Sequence, residues 1–144
     1  MNTTFTYSIL QYKHSLLLGE SVNVGILFYF PEKGYIEFIP GNLHRAKLIY
    51  SNFSLTTFNS LIKGIGKKLK LVTHEGIVAP DKLKKGLNEF INQYLLNEDE
   101  SGLQFTNAAS VIDTYNNIAK TTEKFSQLLL PGFTPKKTEL AKLQ

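Results

Sequence analysis

The sequence contains no cysteine, which excludes disulfide bonds, thiolate metal sites and cysteine nucleophiles. This absence fits a reducing cytoplasm, which is the location we expect. Arginine is nearly missing as well, because Arg45 is the only one in 144 residues. Proteins dedicated to reading nucleic acid or phosphate commonly use the two-pronged hydrogen bonding of arginine. The excess of lysine over arginine therefore indicates a solubilising surface as the first interpretation and a nucleic-acid surface as the second.

Long apolar runs and catalytic motifs are missing too. No run approaches the roughly 18 apolar residues of a membrane span, and the first residues lack the features of a secretory signal, so we expect no membrane partner. None of the serines lies in a nucleophile elbow, and there is no phosphate-binding loop or dinucleotide fingerprint. His14, His44 and His74 are widely separated, so no metal or other cofactor is predicted.

The sequence does contain enough apolar material for a folded domain. Hydrophobic residues make up 42% of the chain and aromatic residues 12%, with a net charge of only +4. A chain of this size buries roughly two thirds of its unfolded surface when it folds. We predict a single domain over residues 1–133. Residues 134–144 are predicted to be a basic tail, either flexible or the start of a further region.

The segment Tyr7–Phe30 predicts the fold class. Two runs rich in β-branched and aromatic residues flank a short turn segment. The second run, Val22–Phe30, is apolar at successive positions and so predicts a central strand covered on both sides. With a third strand over Tyr35–Ile39, the pattern predicts an antiparallel meander. Short later strands are predicted over Leu103–Phe105 and Ala109–Ile112.

Helical periodicity follows the meander. Apolar residues recur at helical spacing over Leu55–Leu71, over Lys82–Leu96 and in a last segment that ends at Leu130. The chain is therefore predicted to be an α+β domain, with one antiparallel sheet and helices packed on one face. The predicted N-caps are Ser54, Asp81, and Asp113 or Thr114.

Glu20, Asn23 and Gly25 are the candidate binding residues that packing explains least readily. Glu20 stands at a strand entrance, where a carboxylate could pair with a cation. Asn23 interrupts an apolar run, and a buried amide must find hydrogen-bond partners or cost about 1–3 kcal/mol. Gly25 in a strand interior is typical of a bulge or a close backbone approach. The alternative is a structural role, in which Asn23 bonds a neighbouring turn and Gly25 makes room for an aromatic ring.

Lysines concentrate in the middle of the chain. Residues 61–96 contain seven lysines and three acidic residues. Lys63, Lys67 and Lys70 share one face of a predicted helix, so they could follow phosphates without reading sequence. A second group consists of His44, Arg45 and Lys47, at the start of a short predicted helical segment. Together with backbone N–H groups, it could hold an anion. A solvated surface is the alternative for both groups. The candidate anion or nucleic-acid residues are His44, Arg45, Lys47, Lys63, Lys67, Lys70, Lys84 and Lys85.

Three functions are consistent with these features. The first is a non-catalytic protein-interaction or adaptor module with an apolar contact loop. The second is an accessory domain that binds nucleic acid through its lysines. The third is a hydrolase or nuclease that uses Glu20, Asn23 and His14 or His44, although no catalytic motif supports it. The contact residues predicted for the first function are Leu16, Leu17 and Leu18.

The N-terminal residues also resemble a known family. A tyrosine-rich strand over Tyr7–Tyr12, then Gly19-Glu20, then Asn23-Val24-Gly25 resembles the opening of a bacterial family of domains of unknown function (number 3037) over residues 1–40. Members of that family are often encoded beside kinases that resemble the HipA toxin. The resemblance implies a bacterial cytoplasmic accessory protein in a toxin–antitoxin or phage-defence setting, with a HipA-like kinase or another defence component as partner. It also implies that Glu20, Asn23 and Gly25 are signature residues, without assigning them a role.

Overall fold

A computed structural model describes residues 3–15, 20–43, 54–96, 102–130 and 132–133, with the backbone alone for His14, Ser15 and Glu20. Within these residues, seven strands form one sheet and three α-helices pack against it. The strands are β1 (Thr4–Ser15), β2 (Glu20–Phe30), β3 (Tyr35–Pro40), β4 (Thr73–His74), β5 (Ile77–Val78), β6 (Leu103–Phe105) and β7 (Ala109–Ile112). The helices are α1 (Leu55–Leu71), α2 (Leu87–Phe90) and α3 (Ile118–Leu129). The protein is thus an α+β protein, as the sequence predicts.

The predicted meander is confirmed, because β1, β2 and β3 are antiparallel neighbours in the sheet. The strand order is β4-β5-β3-β2-β1-β6, and β7 pairs with the same edge of β1 as β6 does. The two short later strands are also where the sequence predicts them. β2 therefore lies inside the sheet, and its hydrogen bonds run to β1 on one side and to β3 on the other.

A β-bulge interrupts the pairing of β1 with β2. Leu10 pairs with Gly25, but the next residue of β1, Gln11, pairs with Asn23. Val24 is therefore one extra residue on β2, and two residues of that strand oppose one residue of β1. Because side chains of a strand alternate between the two faces of a sheet, one extra residue reverses the alternation beyond it.

β2 buries apolar side chains on both faces of the sheet, because residues 26–30 are apolar at successive positions, and the bulge adds Val24 to the first face. On the first face, Val24 and Leu27 join the apolar cluster that contains the core residues of α1 and α2. On the second face, Ile26 and Phe28 join a separate cluster with residues of α3. The prediction that Val22–Phe30 is covered on both sides is confirmed.

The helices consequently cover both faces of the sheet. Ile65 of α1 and Phe90 of α2 are buried in the first-face cluster. Phe125 of α3 packs edge-on against Phe5 on the second face, with ring centroids 5.0 Å apart. The prediction of helices on one face is therefore right for α1 and α2 and wrong for α3. A strand that is apolar on both sides needs cover on both sides, because each exposed apolar face costs free energy in water.

The first predicted helix is confirmed from Leu55 to Leu71, and the Ser54 hydroxyl caps it by accepting the N–H of Thr57 at 3.4 Å. The second predicted helix, Lys82–Leu96, is not continuous. Asp81 lies in a 3₁₀ turn (Pro80–Leu83) that precedes α2, and a π-helical turn (Ile91–Leu95) continues α2. Gly86 separates the two pieces with a φ of 97°, which favours glycine and ends the first turn.

The start of α3 also differs from the prediction. Asn117, rather than Asp113 or Thr114, caps the helix, because its side chain accepts the N–H of Lys120 at 3.0 Å. Asp113 is buried and instead accepts the Thr121 hydroxyl at 2.6 Å. Asp113 therefore fixes the first turn of α3 from outside the helix, while the cap itself lies closer to the first helical residue.

Two glycines of α1 generate a stability prediction. A Cβ atom at Gly64 or at Gly66 would meet no atom within 4 Å. Because glycine costs about 1 kcal/mol relative to alanine in a helix interior, Gly64→Ala and Gly66→Ala should each raise the free energy of unfolding by about 0.5–1 kcal/mol. Urea denaturation of the two variants and the wild type measures this. A loss of stability in either variant would contradict the open space seen beside these glycines.

Candidate nucleic-acid interface

Asn23 finds both of its hydrogen-bond partners inside the fold. Its Oδ1 accepts Gln11 Nε2 at 3.0 Å, and its Nδ2 donates to the carbonyl oxygen of Leu129 at 2.9 Å. Leu129 is the last residue of α3, where helix carbonyls lack partners within the helix. Asn23 therefore links β1 and β2 to the end of α3 on the second face.

Gly25 makes room for an aromatic ring on the first face. A Cβ atom at this position would lie 2.7 Å from Cζ of Phe38, and the ring is half-buried against the first-face cluster. The ring beside Gly25 agrees with the structural alternative drawn from the sequence, whereas Asn23 bonds Gln11 and the end of α3 rather than a neighbouring turn. Because the two residues face opposite sides of the sheet, they do not converge on one site. The side chain of Glu20 lies outside the described residues.

Gly25→Ala should lower the free energy of unfolding by about 1–3 kcal/mol, because the added methyl group must displace the ring of Phe38. In the double variant Gly25→Ala/Phe38→Leu, the smaller side chain should remove part of that cost, so the two losses should not add. Urea denaturation of the single and double variants gives the coupling. Strictly additive losses would contradict a contact between Gly25 and the ring of Phe38.

The lysine face consists of Lys63, Lys67 and Lys70 of α1, and all three side chains are exposed. Their spacing places them on one side of the helix, while Ile62, Ile65 and Leu69 are buried on the other. Since an α-helix rises 1.5 Å per residue, the face spans about 10 Å along the helix axis. The prediction that these lysines share a solvent-facing surface agrees with the structure.

The lysine face has no ionic partner among the residues that the structure describes. The α1 sequence contains no aspartate or glutamate. In the part of the chain that the structure describes, none of the three lysines forms an ion pair or a hydrogen bond. Lys68 differs, because it turns toward the π-helical turn and its Nζ donates to the carbonyl oxygen of Leu95 at 3.3 Å. The outer side of α1 therefore presents fixed positive charge to solvent.

Further lysines lie in the 3₁₀ turn and the residues that lead into α2. Lys84 and Lys85 are exposed in the turn before α2. Lys82 lies with its Nζ 5.9 Å from the ring centroid of Tyr94, which is half-buried in the π-helical turn. Tyr94 is not among the candidate binding residues predicted from the sequence, where helical spacing places it on the inward side of the helix Lys82–Leu96. The packing of α1 on the π-helical turn brings Lys68 to its neighbour Leu95.

Several predicted site residues lie outside the described residues, and so nothing follows for them from the structure. These are Leu16, Leu17 and Leu18 of the apolar loop, His44, Arg45 and Lys47 of the predicted anion site, and the tail 134–144. His74 is described and lies exposed on β4. Across the described ranges, no group of three or more histidine, aspartate or glutamate side chains is arranged to hold a metal ion.

The described helices include none that is both long and apolar enough to cross a bilayer. Comparison with known proteins adds no relative: no family model matches the chain, and no curated protein and no solved structure matches it either. The resemblance of residues 1–40 to the family of domains of unknown function stays a prediction. The physical character of the surface is therefore the basis for a functional proposal.

Proposed function

We propose that this protein is a non-catalytic binding module that holds nucleic acid by its phosphate backbone through the lysine face. The observation that carries the proposal is the row of three exposed lysines on a helix without acidic residues, none of which is paired within the described residues. A surface of this kind attracts a polyanion from any direction of approach. Binding releases condensed counterions from the nucleic acid, and this release supplies the affinity.

Such binding should not depend on base sequence. Lysine presents a single flexible point charge, whereas base-specific contacts commonly use the planar fork of arginine. Phosphate contacts fix the position of a protein along a strand but carry no direct sequence information. Three contacts predict a salt slope of about −2.7 for duplex DNA and an affinity in the usual non-specific range, with Kd about 10⁻⁴ to 10⁻⁶ M.

Removing the lysine face should weaken binding and flatten its salt dependence. We expect the triple variant Lys63→Gln/Lys67→Gln/Lys70→Gln to lose most of the salt slope, because each lost phosphate contact removes about 0.9 from it. Fluorescence anisotropy with a labelled duplex, between about 50 and 200 mM salt, measures both quantities.

A matched control separates the effect of where the lysines lie from the effect of the net charge of the protein. The variant Lys33→Gln/Lys120→Gln/Lys124→Gln removes the same three charges from exposed lysines outside α1, so both triple variants have the same net charge. The control should keep nearly all of the affinity and slope. Equal losses in the two variants would mean that net charge alone acts, and a wild-type protein that fails to bind at low salt would remove the proposal.

A protein-interaction module is the second candidate, because β7 leaves an open edge of the sheet. Asp113 donates its N–H to the carbonyl oxygen of Thr3 at 2.8 Å. Because hydrogen-bonded and non-hydrogen-bonded pairs alternate along antiparallel strands, the backbone groups of Ser110 and Ile112 point away from β1. Among the described strands, none pairs with this outer edge. The Ile112 side chain beside it is 55% exposed. Open edges of this kind accept a strand from a partner.

Ser110→Pro tests the open edge, because proline removes the outward N–H without removing a backbone hydrogen bond to β1. The hydrogen bond of 3.0 Å between the Ser110 and Thr6 hydroxyls is lost equally in the control Ser110→Ala. In affinity purification from the native host after nuclease treatment, the wild type and the control Ser110→Ala should retain the same protein partner, and Ser110→Pro should lose it. Retention by Ser110→Pro would contradict binding at this edge. A HipA-like kinase or another defence component is the partner that the family resemblance implies.

A further inference from the structure

Tyr94 stands out as an aromatic side chain placed among lysines. It belongs to the π-helical turn Ile91–Leu95, which continues α2. A π-helical turn changes the direction of the side chains that follow it, and such turns occur frequently at functional sites. Leu95 is buried in the same turn, whereas Tyr94 is only half-buried, so part of its ring faces solvent.

Two lysines flank the ring. Lys82 Nζ lies 5.9 Å from the centroid of Tyr94, in a cation–π contact. On the neighbouring residue, the carbonyl oxygen of Leu95 accepts Lys68 Nζ at 3.3 Å. Lys68 belongs to α1, but it points about 100° around the helix from Lys67 of the lysine face, because successive helical residues do not share a side. Lys68 and Lys82 are therefore the cations beside the tyrosine. The inner side of the ring is supported by Phe90, with centroids 5.1 Å apart.

We propose that Tyr94 stacks one base of a single-stranded nucleic acid whose phosphates contact Lys68 and Lys82 beside the ring. The proposal rests on the phosphate-binding function argued above and adds the class of nucleic acid. Proteins that bind single strands without sequence preference combine a positively charged surface with aromatic rings that stack bases. The region around α1 and the π-helical turn has both elements. A duplex offers the phosphates but not the base faces, because its bases are stacked inside.

The cation–π contact of Lys82 is compatible with this role. An ammonium group over an exposed ring is held more weakly than a stacked base. When a base arrives, Lys82 therefore leaves the ring and its charge becomes available to the adjacent phosphate. The contact keeps the ring oriented while no strand is bound, and its loss adds one phosphate contact when a strand binds.

The chain provides a matched control for the aromatic ring. Tyr115 is 41% exposed, and Lys120 Nζ lies 5.2 Å from its ring centroid, so it forms a cation–π pair of the same kind. That pair belongs to α3 and the segment before it, on the other side of the sheet from the lysine face. If exposure and a nearby lysine were sufficient for stacking, the two tyrosines would behave alike.

The experiment compares a labelled oligothymidine of about 20 nucleotides with a labelled duplex of about the same length, by fluorescence anisotropy at low salt. The wild type should prefer the single strand. Tyr94→Leu should weaken single-strand binding about 10- to 100-fold and leave duplex binding within about twofold, because stacking on an aromatic ring accounts for that range. Tyr94→Phe keeps the ring and should bind like the wild type, as should Tyr115→Leu.

Ultraviolet cross-linking of the wild type to an oligonucleotide that contains 5-iodouridine keeps the proposal testable if Tyr94→Leu does not fold. Mass spectrometry should find the cross-link on the peptide that contains Tyr94. Equal affinity for single strand and duplex, or cross-links confined to other segments, would overturn the proposal while phosphate binding by the lysine face stands. Failure of both nucleic acids to bind at low salt would overturn the stacking site and the proposed function together.

Discussion

The position of β2 inside the sheet, with apolar side chains on both faces, is the constraint on which the rest of the structure depends. Its successive apolar residues 26–30 require a helix layer on each side of the sheet. The β-bulge at Val24 completes this arrangement, because strict alternation would place Val24 on the same side as Ile26 and would leave Asn23 among the apolar side chains of the first face. With the bulge, Val24 joins the first face and Asn23 turns to the second face, where its amide satisfies the last carbonyl of α3.

The two helix layers differ in chemical character. On the second face, α3 is held by a buried carboxylate, Asp113, which accepts the hydroxyl of Thr121, and the helix contains a half-buried glutamate, Glu123, beside its lysines. On the first face, α1 has lysines and no acidic residue. The locally unfavourable features of the described helices also fall in the first layer, namely the two glycines of α1 and the π-helical turn after α2. Sequences commonly depart from local rules at functional sites, so these departures agree with a binding role for this layer.

Local patterns in the sequence predict a large part of this structure. The meander, the helix Leu55–Leu71 with its Ser54 cap, and the shared face of Lys63, Lys67 and Lys70 all follow from neighbouring residues, because strand and helix periods act over short distances. The side of the sheet taken by α3 is not predictable in that way. It depends on contacts between residues that are distant in the sequence, such as the bond of Asn23 to the carbonyl oxygen of Leu129.

The remaining differences have similar causes. The helical period over Lys82–Leu96 hides the break at Gly86, because apolar spacing on both sides of the glycine continues in phase while its backbone does not. The sequence predicts Asp113 or Thr114 as the cap of α3, but the Asp113 carboxylate instead reaches across to Thr121. Tyr94 gives no local signal of a binding site, since its lysine neighbours come from α1 and from the 3₁₀ turn. A site assembled from separate segments becomes visible only once the tertiary packing is known.

The central claim is that ligand binding belongs to the helix layer on the first face. Amide chemical shifts of the ¹⁵N-labelled protein, titrated with a short oligonucleotide at low salt, test it most directly because every part of the surface reports at once. The account predicts that shifts change along α1 and in the π-helical turn after α2, while the amides of α3 stay unchanged. Changes concentrated on α3 or on β7, with none along α1, would contradict it.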